Sequence, residues 1–280
     1  MSLKDGLTLR ISPYFSVITV CYNSSKTLQR CIDSVERQQS EFPDFEYIII
    51  DGASTDTTID IVRANEAAFG GRLRWISEPD DGLYFAMNKG IAMAHGEVIA
   101  FINSDDWFED SCLKTVFNAF ADKPHADIVY GHIRIISAID PNTVFEITSD
   151  DADKLQEGMS ISHQACFVKK QVYTDFGVFN TNYKIAADYE LLLRFYMNNV
   201  KFSSLDSIMS TFSIGGESSK LGRLMKEEYR IQKEYFGRTH AVKKTLNTLF
   251  RAGPRVIIRN ILGDRLYEDI RKHLKPEASR

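Results

Sequence analysis

The sequence predicts an α/β fold: a mostly parallel central sheet flanked by helices, with a helical C-terminal extension. Short apolar runs rich in β-branched residues alternate with helix-length segments, the connections between them are short, and each of the first four runs ends in polar residues. Phe15–Tyr22 (FSVITVCY) reads as the first buried strand, and Asn23-Ser24-Ser25 offers an N-cap for a helix to about Gln38. Tyr47–Asp51 is the second strand, closed by Gly52-Ala53-Ser54-Thr55-Asp56, which caps a helix from about Thr57 to Ala68. Leu73–Ser77 is the third strand, residues 82–95 a helix, and Glu97–Ile102 the fourth strand. Such alternation gives right-handed crossovers and places ligands outside the carboxyl ends of the strands.

Beyond the fourth strand, residues 109–123 read as a helix, with Asp106 or Asp110 able to cap it. Ala126–Ile136 and Val144–Thr148 read as strands around a Pro141-Asn142 turn, and a loop spans Ser149 to Ser162. Gln164–Val168 is a strand, Lys170–Phe176 and Asp188–Met197 are helices, and Lys201–Ser213 is strand-like. Gly215-Gly216 breaks the chain before a helix over 217–237, which divides it into a domain of residues 1–215 and an extension of residues 216–280.

At 44% hydrophobic and 26% charged residues, the 280-residue chain has the composition of an ordinary globular protein. Cys21, Cys31, Cys112 and Cys166 show no CxxC spacing and sit mostly among apolar residues, as reduced thiols of a cytoplasmic protein do. The N-terminus lacks a secretory apolar region, and no window reaches the ~18 uninterrupted apolar residues of a membrane span. Residues 240–275 hold nine Lys/Arg against three acids, a net +6 in a chain of net −4. With Leu246, Leu249, Phe250 and Ile257 interspersed, that segment suits either peripheral contact with an anionic membrane face or a helical pair packed on the core.

The fourth strand raises the question of chemistry, because Phe101-Ile102 runs straight into Asn103-Ser104-Asp105-Asp106. Adjacent aspartates serve in turns and caps, but they also suit Mg²⁺ or Mn²⁺, which takes carboxylate oxygens and shares its remaining sites with phosphates. Asp51 invites the same two readings, a cap or an acceptor for a base or ribose donor at the sheet edge. No GxGxxG follows the first strand and no GxxxxGK[ST] occurs, which removes nicotinamide and flavin cofactors and the P-loop enzymes.

FSVITVCYNSSKTLQRCIDSV, IIIDGASTDTT, SEPDDGLYFAMNKGIAMAHGEVIAFINSDDWF, ISHQACFVKK and AADYELLLRF, in this order and spacing, resemble the family-two inverting glycosyltransferases of bacterial cell-surface polysaccharide synthesis, which have the GT-A fold. The resemblance covers about residues 14–215. It implies a nucleotide diphosphate sugar donor, a UDP-sugar favoured, a glycan or lipid-linked sugar acceptor, Mn²⁺ or Mg²⁺, and no nucleic acid partner. On matching positions, Thr19, Tyr22 and Asn23 fall where such enzymes hold the base, and Asp51 and Ser54 lie in the base-binding loop. Asp81, Asn88 and Lys89 lie in the segment that contacts ribose, phosphates and donor sugar, where Phe85 replaces a usual acid. Asn103, Ser104 and Asp105 match the DxD element, with Asn103 in place of its first acid. Asp105, Asp106 and His163 are the implied metal contacts, and Asp188 matches the general base, with a capping role open beside it. Competing classes are a nucleotidyltransferase, which normally carries a Gly-rich loop where Asn23-Ser24-Ser25-Lys26 stands, and a non-catalytic sugar-binding member.

Overall fold

The computed structural model describes residues 12–136, 144–148, 151–213 and 221–248. The Pro141-Asn142 turn, the Gly215-Gly216 break and the basic segment beyond residue 248 lie outside the described residues.

Four strands, β1 (Phe15–Cys21), β2 (Phe45–Asp51), β3 (Leu73–Ser77) and β4 (Val98–Phe101), alternate with helices α1 (Leu28–Gln38), α2 (Thr58–Asn65) and α3 (Leu83–Met93). They pair in parallel in the order β3-β2-β1-β4. The register levels their ends, with Cys21 opposite Asp51 and Asp51 opposite Ser77. β4 stops beside Ile18, so the chain after it runs on alongside the last residues of β1, with the Ile102 amide bonded to the Ile18 carbonyl at 3.0 Å.

The second half of the sheet is mixed. It comprises β5 (Trp107–Phe108), β6 (Ile128–Ile136), β7 (Val144–Ile147), β8 (Cys166–Lys169) and β9 (Phe202–Ser213). β8 joins β4 antiparallel, β6 follows antiparallel to β8, β9 lies parallel to β6, and β5 closes the edge against β9. Helices α4 (Cys112–Asp122), α5 (Lys170–Phe176), α6 (Ala187–Met197) and α7 (Leu221–Phe236) complete the order, and a further helix covers 238–248.

Every residue of β1 and β2 is buried, because both faces of the sheet are covered. Ile18, Val20, Ile48 and Ile50 face α3 and α6, while Val17, Tyr47 and Ile49 face the α1 and α4 side. Each such aliphatic side chain contributes roughly 1.5–3 kcal/mol on burial. Gly90 lets α3 lie against β1, since a Cβ there would stand 2.5 Å from Ile18 Cγ2. Ile231 of α7 belongs to the same core as α6, so the chain after residue 220 is packed in where it is described.

Several local expectations shift. α1 begins at Leu28 with Thr27 at its N-cap position, and Asn23 and Ser24 bond elsewhere. Ser111, not Asp106 or Asp110, stands at the N-cap of α4, while Asp110 pairs with Arg37 at 3.3 Å. His163–Ala165 forms a 3-10 turn, which delays β8 to Cys166. The two-residue strand β5 is too short to show a period in the sequence.

Candidate active site

At the carboxyl edge of β1 and β2, two loops are laced together by side chains accepting backbone amides. Asn23, in a left-handed conformation (φ 49°), donates its amide to Ser54 Oγ at 2.8 Å and accepts the Thr55 amide at 2.9 Å. The Ser24 amide donates to Thr58 Oγ1 at 2.8 Å, and the Ser25 amide to Asp56 Oδ2 at 3.2 Å. Hydroxyl and amide donors from Thr58 and Ser25 hold the Asp56 carboxyl down to about 2. Fully buried Asp51 accepts the Ser54 amide at 2.9 Å, the Ser77 hydroxyl at 2.6 Å and the Ser54 hydroxyl, which ties the ends of β2 and β3 to their shared loop. Tyr22 is left 64% exposed on this rigid base, a flat apolar face open to a planar ring.

Thr19 does not reach this edge. Its side chain points the other way, buried against α1, where it accepts the Tyr47 hydroxyl at 3.0 Å and meets Cys31 Sγ at 3.6 Å. A period-2 strand explains this, since Thr19 shares its face with Val17 and Cys21.

Beyond β3, Lys89 Nζ lies 2.6 Å from Glu78 Oε1 and 2.7 Å from Asp80 Oδ1, and the two carboxylates raise its pKa. Asp81 is exposed beside them. Asn88 faces inward, its amide nitrogen donating to the Phe179 carbonyl at 2.9 Å and its oxygen accepting the Phe179 amide at 3.0 Å.

After β4, Ser104 Oγ meets Ser24 Oγ at 2.9 Å, which joins this loop to the first one. Arg30 of α1 donates to the Asp105 carbonyl at 2.9 Å and stacks on Trp107 with its guanidinium carbon 3.9 Å from the ring centre. Asp105 and Asp106 then part company. Asp106 is fully buried and accepts the Ser213 amide at 3.1 Å and the Asn103 side-chain amide at 3.1 Å; burial and the charge of Asp105 push its pKa well up. His163 is packed between Phe101 and Phe179, with ring centres 5.2 and 5.3 Å away, and burial lowers its pKa to about 4.

Among the described residues, no three His, Cys, Asp or Glu side chains converge to hold a metal ion. Asp105 supplies a carboxylate that is not drawn into the core, and one carboxylate suits a cation that completes its shell from substrate phosphates and water. Asp106 and His163 face inward and are not brought together with it.

Asp188 stands in the first turn of α6. Its Oδ1 accepts the Tyr189 amide at 2.8 Å and the Tyr84 hydroxyl at 3.3 Å, and Tyr84 comes from the start of α3, just after Asp81-Gly82. Removal from water raises the Asp188 pKa to about 6 against these hydrogen bonds, so at neutral pH the group is an ionised acceptor with usable basicity.

The chain has counterparts among known proteins. The description Glycosyl transferase family 2 matches residues 16–177, more than half of the chain. The chain belongs to glycosyltransferase family 2. This glycosyltransferase is 33% identical over 189 residues to the PGL/p-HBAD biosynthesis glycosyltransferase of Mycobacterium tuberculosis, covering 67% of this chain and 71% of that protein. It is 26% identical over 194 residues to the poly(ribitol-phosphate) beta-glucosyltransferase of Bacillus spizizenii, covering 67% of this chain and 30% of that one. Its fold is shared with S. aureus TarS 1–349 in complex with UDP-GlcNAc, at TM-score 0.62 and 23% identity over 85% of this chain and 72% of that one. It is also shared with a Pyrobaculum calidifontis mannosyltransferase in complex with GDP-Man and Mn²⁺, at TM-score 0.61 and 15% identity over 88% and 76% of the two chains. The expected GT-A architecture is thus present, and the nucleotidyltransferase reading falls with the family match. Tyr84 and Arg30 were not singled out from the sequence, and only the resemblance pointed to Asp188, which lies beyond the matched residues.

Proposed function

We propose that the chain transfers a sugar, of the hexosyl or N-acetylhexosaminyl type, from a nucleotide diphosphate sugar to an acceptor hydroxyl with inversion, in bacterial cell-surface glycan synthesis. The observation that carries this reading is Asp188, a carboxylate lifted to about 6 and tied through Tyr84 to the helix that opens at the nucleotide edge. A UDP-sugar is favoured as donor, because the fold neighbour TarS is described with UDP-GlcNAc. Tyr22 takes the base on its exposed face, and the loop held by Asp51, Asn23 and Ser54 presents its backbone to base and ribose. Asp81 and Lys89 lie toward the ribose and diphosphate, and Asn88 acts by holding Phe179 in place.

Asp188 takes the proton of the acceptor hydroxyl as that oxygen attacks the anomeric carbon and the nucleoside diphosphate departs from the opposite face. General-base help of this kind is worth ~10²–10⁴ in rate. Asp105 would hold Mn²⁺ or Mg²⁺, with Asn103 and Ser104 beside it. A bound divalent cation supplies electrostatic stabilisation of the leaving diphosphate. The acceptor is a glycan or lipid-linked sugar, and residues 240–275 provide peripheral contact with an anionic membrane face, a role supported by their charge. No helix among the described residues is long and apolar enough to cross a membrane.

A thermal-shift panel of UDP-, GDP- and dTDP-sugars, each with and without Mn²⁺, tests the reading. The expected result is metal-dependent stabilisation by UDP-sugars above the others; no stabilisation by any nucleotide sugar would overturn it.

A further inference from the structure

The turn that delivers Asp188 is gripped by two side chains, and one grip comes from the C-terminal helix. Glu227 of α7 accepts the Lys184, Ile185 and Ala186 amides on Oε2 at 3.0, 2.9 and 3.0 Å, and the Lys184 amide also on Oε1 at 3.0 Å. The Tyr84 hydroxyl also holds the turn, its one hydrogen shared between the Ile185 carbonyl at 2.6 Å and Asp188 Oδ1 at 3.3 Å. These three consecutive amides lead straight into α6, whose N-cap position is Ala186, a residue with no side-chain acceptor of its own.

An uncapped helix start carries positive charge, and a carboxyl in the first turn is acidified by it. Asp188 occupies that position, yet it keeps the basicity that proton removal requires. Burial is the largest cause, and the negative charge of Glu227 acts in the same direction. Among the described residues, the ionisable groups acting on Asp188 are Tyr84 from α3 and Glu227 and Glu228 from α7, and Lys244 of the 238–248 helix acts on Glu228.

We propose that Glu227 is a positioning residue for Asp188: its carboxylate binds the three amides that enter α6, fixes the turn on which Asp188 stands, and cancels the positive field of that helix start. The consequence for function rests on Asp188 being the base, but the structural statement can be tested without an acceptor. Aspartate labelled with ¹³C at the carboxyl is incorporated into the full chain, and Asp188→Asn identifies the Asp188 signal by its loss. In the native protein the signal is expected to titrate near 6. Glu227→Gln is expected to lower that midpoint by roughly half a unit to one unit, since the negative charge beside the helix start disappears. It is also expected to speed hydrogen exchange at the Lys184, Ile185 and Ala186 amides at least about tenfold.

A role limited to holding the turn would change the exchange rates and leave the midpoint where it was, so an unmoved midpoint overturns the proposal. If Glu227→Gln does not fold, Glu227→Asp withdraws the carboxylate by one methylene and should shift both readings in the same direction by less; an unmoved midpoint there has the same force. Normal sugar transfer by Asp188→Asn would refute the base assignment and leave the titration result standing, so the two readings fail separately.

Discussion

The parallel half of the sheet and its mixed half build their parts of the site in different ways. At the end of β2, the carboxylates are satisfied largely by near neighbours: Asp51 by Ser54, Asp56 by Thr58. The mixed half relies on distant partners. Asp106 is held by Ser213, 107 residues on, and Asp188 by Tyr84, 104 residues back. A local motif makes a rigid loop wherever a strand ends, and a group that must stay basic and dry needs walls from several elements.

Five substitutions sharpen this contrast. The largest effect belongs to Asp188→Asn, which should bind the donor normally and lose transfer by ~10²–10⁴ in single-turnover kinetics. The native enzyme should show the matching pH limb: with the Asp188 pKa near 6, the base is protonated below that value, and the rate should fall about tenfold for each further unit.

Asp106→Ala comes next. It leaves the Ser213 amide and the Asn103 side-chain amide without their buried acceptor, at a cost of about 2–4 kcal/mol in denaturant unfolding. Its neighbour provides the comparison: Asp105→Ala should unfold much as the native protein does, yet lose the Mn²⁺ dependence of nucleotide-sugar stabilisation. Equal destabilisation by both would erase the distinction between them.

Gly90→Ala tests the parallel half, because its methyl would press on Ile18. Overpacking of this kind costs about 1–3 kcal/mol, to be read as a lower urea midpoint. The smallest effect is expected from Tyr22→Ala, whose ring is 64% exposed and holds nothing in the fold. Its stability should be unchanged, and nucleotide affinity by calorimetry should weaken by about 1–2 kcal/mol, the scale of one base stacked on an aromatic ring.

The same division governed what the sequence could reveal. The β1–β4 alternation was legible because each strand is a short, mostly apolar run and each crossover is short. The Asp51–Asp56 loop was legible because its donors and acceptors lie a few residues apart. Thr19 was misleading: one position along a strand reverses the face, and the polar cluster that begins at Tyr22 gave no sign of it. Asp105 and Asp106 look alike in sequence, and only the arrival of the end of β9 decides which is drawn inward. Glu227 lies in a helix that reads as a solvated face of Lys, Glu and Arg, with no mark to show that its carboxylate meets the amides of residues 184–186.

Asn88 carries one more consequence. Its side-chain amide exchanges two hydrogen bonds with the Phe179 backbone, as one peptide group does with another across a β-ladder. α3 thereby supplies a single artificial rung to a loop 91 residues away, and that loop leads on to Asp188. The conformational entropy of that stretch is surrendered during folding, so little of it remains to be lost when donor and acceptor meet.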